Sequence, residues 1–494
     1  MQHVMRAEQG RWLVALLLTL AWVLGPNPNP TSAAGARSRP PGAVNGDRGS
    51  KIRASAPAGQ PQYATQMYFA EGYTGQGPLV NFTEKLSILN TNPLTATGEI
   101  EYFLANTSIT ATNPITVPIM VPAHAQLIED VGRDVGSNQM VSTLVEADQT
   151  LSATRTISRT TVAGAALGAS ISEAEDGLAQ FWYFSEGYTG ASFQEYLALF
   201  NPGNSPATIT IEAVGVAGAQ VLAPLSASVA AHGRATVNIR AAVPGRSLGL
   251  SVQSDQPIAA ERVLYWGAGS GSGKFGASVN AGIRGPAAQW TFPYVSTAGA
   301  DQAYLSFINP TTVAAHVQLS AYGAAALPPL PSAVIVAPGI RTTVTLPISV
   351  GSMAVVASSD VPVIAEEGQY FGGSPNVGTH MGSVLAGVPQ PAIQWSFPGV
   401  GGSRFTTQTW YVLNRSSGTA DLTATVYPAQ AGVPIVLHFH APPGVLTVLS
   451  TDSARLPHAG TAVFWGSTAP VVIARVFHGA SASVGAVVAG VSQS

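Results

Sequence analysis

A nine-residue stretch recurs along this chain, and recurrence at a nearly fixed interval restricts the fold to several copies of one small unit. MYFAEGYTG from Met67 returns as WYFSEGYTG from Trp182 and, in altered form, as WTFPYVSTAG from Trp290 and WSFPGVGG from Trp395. The intervals are 115, 108 and 105 residues. A second marker keeps nearly the same register: SILN ends at Asn90, ALFN at Asn201, SFIN at Asn309 and YVLN at Asn414. A third lies late in each copy, with Arg155, Arg262 and Arg475 in copies one, two and four and Glu367 at the matching place in copy three.

Between the markers run alternating segments of five to eight residues such as ATITIEAVGV and RATVNI, rich in Val, Ile and Thr and separated by Gly, Pro and Asn turns. Period-two alternation of that kind marks strands with one buried face. About seven or eight strands per copy imply two packed sheets, because a single sheet would leave an apolar face in water. The expected fold is all-β: four tandem antiparallel β-sandwich modules, at 66–179, 180–286, 287–391 and 392–494. Trp182, Trp290 and Trp395 are expected to anchor each core at its first strand. The joints near Ala287 to Gln289 and Pro391 to Gln394 are short, which favours modules packed on one another over an extended string.

Ahead of the modules, Arg6 and Arg11 precede an apolar run from Trp12 to Leu24, the order of an export signal and too short to span a bilayer comfortably. Residues 1–36 are read as an export signal, cleaved after Ala33 or Ala36, or as an uncleaved signal anchor. Residues 37–65 carry proline, glycine and small polar side chains with almost no large apolar ones, the composition of a disordered stalk. No further membrane span is expected. The absence of cysteine removes disulfides, thiolate metal sites and thiol catalysis, so each module must hold together by its core. Net charge is −3, and Lys51, Lys85 and Lys274 are the only lysines, so there is no basic stripe for nucleic acid.

At these markers the copies resemble the sensory rhodopsin transducer family of small bacterial β-sandwich proteins. The shared outline is an aromatic strand entering EGY (Glu71, Gly72, Tyr73; Glu186, Gly187, Tyr188), a strand ending in LN (Asn90, Asn201), a strand of the EIEYF type with Tyr102, a VPA turn (Val121 to Ala123), and a late segment with Pro257 leading to Arg155 or Arg262. The family assembles as homotetramers, so the resemblance implies that four fused modules close into a pseudo-tetramer, helped by the high effective concentration of covalently joined partners. This chain departs from the family in its export signal, its fusion of four modules and the loss of EGY from copies three and four.

The candidate ligand-binding residues are Glu71, Tyr73, Arg155, Glu186, Tyr188 and Arg262. A loop offering a carboxylate and an aromatic face suits a sugar or a cationic group. The competing structural reading has each glutamate capping a turn or pairing with the late arginine while the tyrosine packs. Copy three loses both partners together, with Tyr294 at the glutamate position and Glu367 at the arginine position. Copy four keeps Arg475 but has Gly399. Glycosidases need two carboxylates at a set separation, and each copy offers one EGY glutamate at most. The DQ pairs Asp148-Gln149 and Asp255-Gln256 read as turn residues before an edge strand. His438 and His440, two apart on a strand, share a face but lack a third ligand nearby in sequence. His124 and His232 occupy one turn in copies one and two, and Gly269 to Lys274 reads as a hairpin connection. No catalytic residue, metal or cofactor is assigned. The expected function is a noncatalytic extracellular or cell-surface structural or binding protein whose partner is carbohydrate or a surface protein. The alternatives are a secreted hydrolase with its site in module loops and an accessory subunit of a surface sensory complex.

Overall fold

The structure is a computed structural model, and it describes residues 64–493 apart from 77–79, 106–112, 165, 191, 217–221, 267–275, 324–326, 373–380, 401–404, 428–432, 451–459 and 480–484. The export signal, nearly all of the stalk and the Gly269–Lys274 stretch lie outside the described residues. The chain is all-β, with one antiparallel sheet system per copy. Two very short helices, Val131–Val135 and Ile239–Ala242, are capped by the side chains of Asp130 and Asn238. At five and four residues they are too short to leave a 3.6-residue period in the sequence. No helix among the described residues is long and apolar enough to cross a membrane.

Each module is organised round one long strand: Gln139–Thr161, Leu248–Trp266, Met353–Phe371 and Ala462–Gly479. In module 2 its first half pairs with Ala179–Phe184 and Ala207–Gly215, the latter flanked by Leu225–Val229. Its second half pairs with Phe193–Asn201 and Gly276–Ala281, with Gly233–Asn238 beyond. One strand thus belongs to both layers, and the register shifts where it passes between them, from Gln253 to Ile258. The DQ pair therefore sits inside a continuous strand at this crossing and not in a turn. Asp255 there accepts the Thr208 backbone N–H at 2.8 Å, as Asp148 accepts that of Thr97 at 2.8 Å in module 1. A bulged strand needs such outside acceptors because its own ladder is interrupted.

The marker residues act at the same crossing. The indole N–H of Trp182 donates to the Ile258 carbonyl at 3.1 Å, that of Trp290 to Val363 at 2.7 Å and that of Trp395 to Val471 at 3.1 Å. Each ring fills its own module's core while its one polar atom satisfies a carbonyl just past the crossing. The LN asparagines bracket a turn in all four copies. Nδ2 of Asn201 donates to the carbonyls of Ser205 and Val229, and its Oδ1 accepts the Gly203 N–H. Asn90, Asn309 and Asn414 repeat the pattern. Substitution Asn201→Ala leaves buried carbonyls unpaired, and at about 0.5–1.5 kcal/mol per bond a loss of about 2–4 kcal/mol is expected. A urea midpoint unchanged from wild type would refute that role. The turn that follows needs a left-handed residue, met by His124 (φ 53°) and His232 (φ 52°), with Gly339 (φ 66°) and Gly444 (φ 69°) in the later copies. That requirement accounts for the paired histidines.

The four modules close on themselves. The last strand but one in chain order of module 4, Gly485–Ala489, and the last strands of the others, Ala166–Glu173, Gly276–Ala281 and Met381–Ala386, pack side by side round a common axis. Module 1 meets 2, 2 meets 3, 3 meets 4, and 4 returns to 1. Ser170 Oγ accepts the Val279 N–H, Ser278 Oγ that of Val384, and Ser383 Oγ that of Val487. The fourth contact is apolar: Ala169 and Ile171 pack with Ala486, Val488 and Phe477. This is the pseudo-tetrameric arrangement.

Candidate functional site at the module seams

The candidate residues all lie where one module meets the next. Arg155 is buried, stacked over Phe69 at 5.0 Å, and its guanidinium donates to the backbone carbonyl of Glu71. Its carboxylate partner comes from the neighbouring module: Glu261 accepts from both terminal nitrogens of Arg155, at 2.8 and 2.9 Å, and from the Glu71 N–H at 2.6 Å. The second seam repeats the first. Arg262 lies over Phe184, donates to the Glu186 carbonyl, and is held by Glu366 of module 3 at 2.9 and 3.1 Å, while the Glu186 N–H donates to Glu366 at 2.7 Å. Asn280 completes the shell, donating to Glu366 and accepting from Arg262.

The EGY carboxylates have other partners. Glu71 receives Arg234 of module 2 at 3.2 Å, and Glu186 receives Arg341 of module 3 at 2.7 Å. So glutamate and late arginine of one module do meet, but through a backbone carbonyl, with each charge balanced from the next module. Tyr73 and Tyr188 pack edge-on against Phe82 and Phe193, each at 5.0 Å.

Glu261 and Arg262 are neighbours on one long strand. Successive side chains of a strand point to opposite faces. Glu261 therefore reaches back to module 1 and Arg262 forward to module 3, so one dipeptide serves two seams. The sequence reading singled out Arg262 and passed over Glu261, Glu366, Arg234 and Arg341. The signal for the first two is a glutamate immediately before the late marker position, present in AERVLYW and AEEGQYF.

Each charged seam holds a third carboxyl, Glu84 or Glu195. Burial, only partly offset by Arg155, pushes Glu84 up to about 8, and burial only partly offset by Arg262 does the same for Glu195. Near neutral pH both are mostly protonated, which leaves two carboxylates facing two arginines at each seam. A buried site tolerates that balance, whereas a net charge there is costly.

The other two seams have lost the pattern. Where modules 3 and 4 meet, Glu367 stands at the arginine position and Ala474 where its partner would be. The contact is apolar, with Tyr294 and Tyr411 rings 4.6 Å apart. Neither oxygen of Glu367 has a hydrogen-bond partner, and burial raises its pKa well above the usual range. Where module 4 meets module 1, Arg475 bonds to Gln408 and to the Pro398 carbonyl in its own module, over the Trp410 and Phe477 rings. Burial lowers its pKa to about 9. Gln126 of module 1 takes the place of the crossing arginine, accepting the Gly399 N–H at 3.1 Å and donating to the Gly460 carbonyl at 2.8 Å.

His438 and His440 are exposed on one face, and His440 meets Asp421 at 2.8 Å. Among the described residues, no three His, Cys, Asp or Glu side chains are grouped to hold a metal.

A family described as a family of unknown function (DUF5719) matches residues 131–260, which run from the late part of module 1 into the long strand of module 2. No curated protein matches the chain. A crystal structure of Thermotoga maritima 1070 is similar to part of it at 16% identity, with 20% of this chain and 91% of that chain covered and a TM-score of 0.18.

Proposed function

We propose that this chain is a noncatalytic structural or binding protein, exported to the cell surface or beyond, in which a closed ring of four modules presents outward loops to carbohydrate or to a surface protein. The observation that carries this reading is the fate of the EGY glutamates and late arginines. They are buried in bidentate and backbone-anchored contacts between modules, the use expected of groups that hold a scaffold rather than turn over a substrate. The charge-then-apolar start of the sequence supports export.

A second reading, an accessory subunit of a surface sensory complex, is favoured by the cyclic packing of four like modules, the assembly implied by the likeness to the sensory rhodopsin transducer family. The test is an array of glycans and extracellular matrix proteins probed with the purified chain, run beside glycosidase, esterase and peptidase assays. Saturable binding without turnover supports the scaffold. Turnover abolished by a single loop substitution would replace it with the hydrolase. Failure of both, with a membrane protein copurifying from native cells, would favour the sensory subunit.

A further inference from the structure

At the centre of the ring the four axial strands border a cavity of about 100 Å³ that is partly open to solvent. Its wall takes residues from every module: Glu173 from the first, Val279 and Asn280 from the second, Trp290 and Val384 from the third, Val487 from the fourth. A cavity of about 150 Å³ lined by apolar side chains stays dry and accepts benzene, so this one suits a slightly smaller body. It is not purely apolar, however. Glu173 Oε1 is buried and has no hydrogen-bond partner.

The surrounding charges do not satisfy that carboxyl. Glu175 lies close enough to disfavour its ionisation, and Arg284, which acts on Glu175, is committed to Asp176 at 2.6 Å. Of the other polar wall residues, Ser172 and Asn280 are engaged by Arg155 and by the Arg262–Glu366 pair. Arg284 is thus taken up by Glu175 and Asp176 and leaves Glu173 unanswered, in a pocket whose remaining surface is mostly apolar. A buried polar atom without a partner calls for explanation.

We propose that the axial cavity is a binding site for a small organic ammonium ion, its cationic head on Glu173 and its short alkyl body against Val279, Val384 and Val487. Burial, with Glu175 alongside, raises the Glu173 carboxyl well above the usual carboxylate range, which favours its protonated form. Binding is then an exchange: the carboxyl gives its proton to solvent as the ammonium takes its place, the O–H bond breaking and an N–H···O contact forming with no change in bound charge. Two consequences follow. Affinity rises with pH until the amine itself deprotonates, and about one proton is released per ligand bound. Glu175, Asp176 and Arg284, together with Glu366 behind Asn280 and Arg155 behind Ser172, set the field in which that exchange occurs. The site uses no EGY residue and stands apart from the display role above.

The experiment is a melting and calorimetric titration of the full chain with propylammonium, set beside 1-butanol as a neutral body of similar size. Propylammonium is expected to raise the melting temperature saturably by several degrees, and 1-butanol is expected not to. Calorimetry in two buffers of different ionisation enthalpy is expected to show proton release. Glu173→Gln should weaken binding about 10- to 100-fold without loss of folding. Val384→Phe, which adds bulk at the cavity wall and leaves Glu173 intact, should abolish binding. Equal stabilisation by 1-butanol, undiminished binding by Glu173→Gln, or no propylammonium effect at any pH at which the amine is still protonated would each overturn the proposal.

Discussion

Glu366→Ala is expected to destabilise the protein by about 3–5 kcal/mol, among the largest effects of any single substitution at the seams. The change removes four contacts at once: both arms of Arg262, the Glu186 N–H and Asn280 Nδ2. It leaves Arg262, with no exposed side-chain surface, carrying a charge against the Glu186 carbonyl, the Asn280 amide oxygen and an aromatic face, with no bonded carboxylate. The double variant Glu366→Leu, Arg262→Met should recover most of the loss, because replacing a whole buried pair with apolar groups of similar volume is often neutral or stabilising. Urea denaturation of the three proteins checks both expectations. A single variant with the wild-type midpoint would mean that the seam is not formed as described. A double variant as unstable as the single would mean that the pair is worth more than shape.

Glu367→Leu is expected to act in the opposite direction, stabilising the protein at pH 8 by about 1–3 kcal/mol, the usual penalty for an unsatisfied buried polar group. The pH dependence should change with it. A carboxyl whose folded pKa lies above its unfolded value holds a proton that the unfolded chain has released. The native state therefore binds more protons between the two values, and stability falls as pH rises through that window. Its cost is absent below the unfolded pKa and complete above the folded one. Glu84, Glu175 and Glu195, each at about 8, and Glu367, which burial raises well above the usual range, all act in this sense. The melting temperature is thus expected to climb as the pH is lowered from about 8 toward 5, and in Glu367→Leu to climb less steeply. A melting curve that peaks at pH 8 in both proteins would contradict this account.

What the sequence disclosed was the unit and its order. The tryptophan and LN markers recur because one polar atom on each closes a backbone gap that every copy has, and a requirement local to a module leaves a local trace. The same holds for the histidine turn, where a left-handed backbone admits a short list of residues. The DQ pair was misread because aspartate accepting a neighbouring N–H looks the same at a turn and at a bulge. The seam partners were invisible for a different reason. Arg155 and Glu261 are 106 residues apart, and nothing near either one says which face of its strand will meet another module. Only closure of the ring puts the Glu261 side chain next to module 1. The cavity was hidden in the same way, since its wall draws on all four copies.

The unequal seams also act as an address system. A head-to-tail contact between similar units can close into a ring or run on as a filament, and identical joints would let units from different chains exchange places. Here a module 4 set beside module 1 in the place of module 2 would bring Ala474 to Arg155, stranding a buried cation. A module 2 in the place of module 4 would set Glu261 against Glu367. These mismatches reject the wrong neighbour by leaving a charge without an answer, whereas the two charged seams carry the same pairing, so the divergence of the later copies marks where the ring closes.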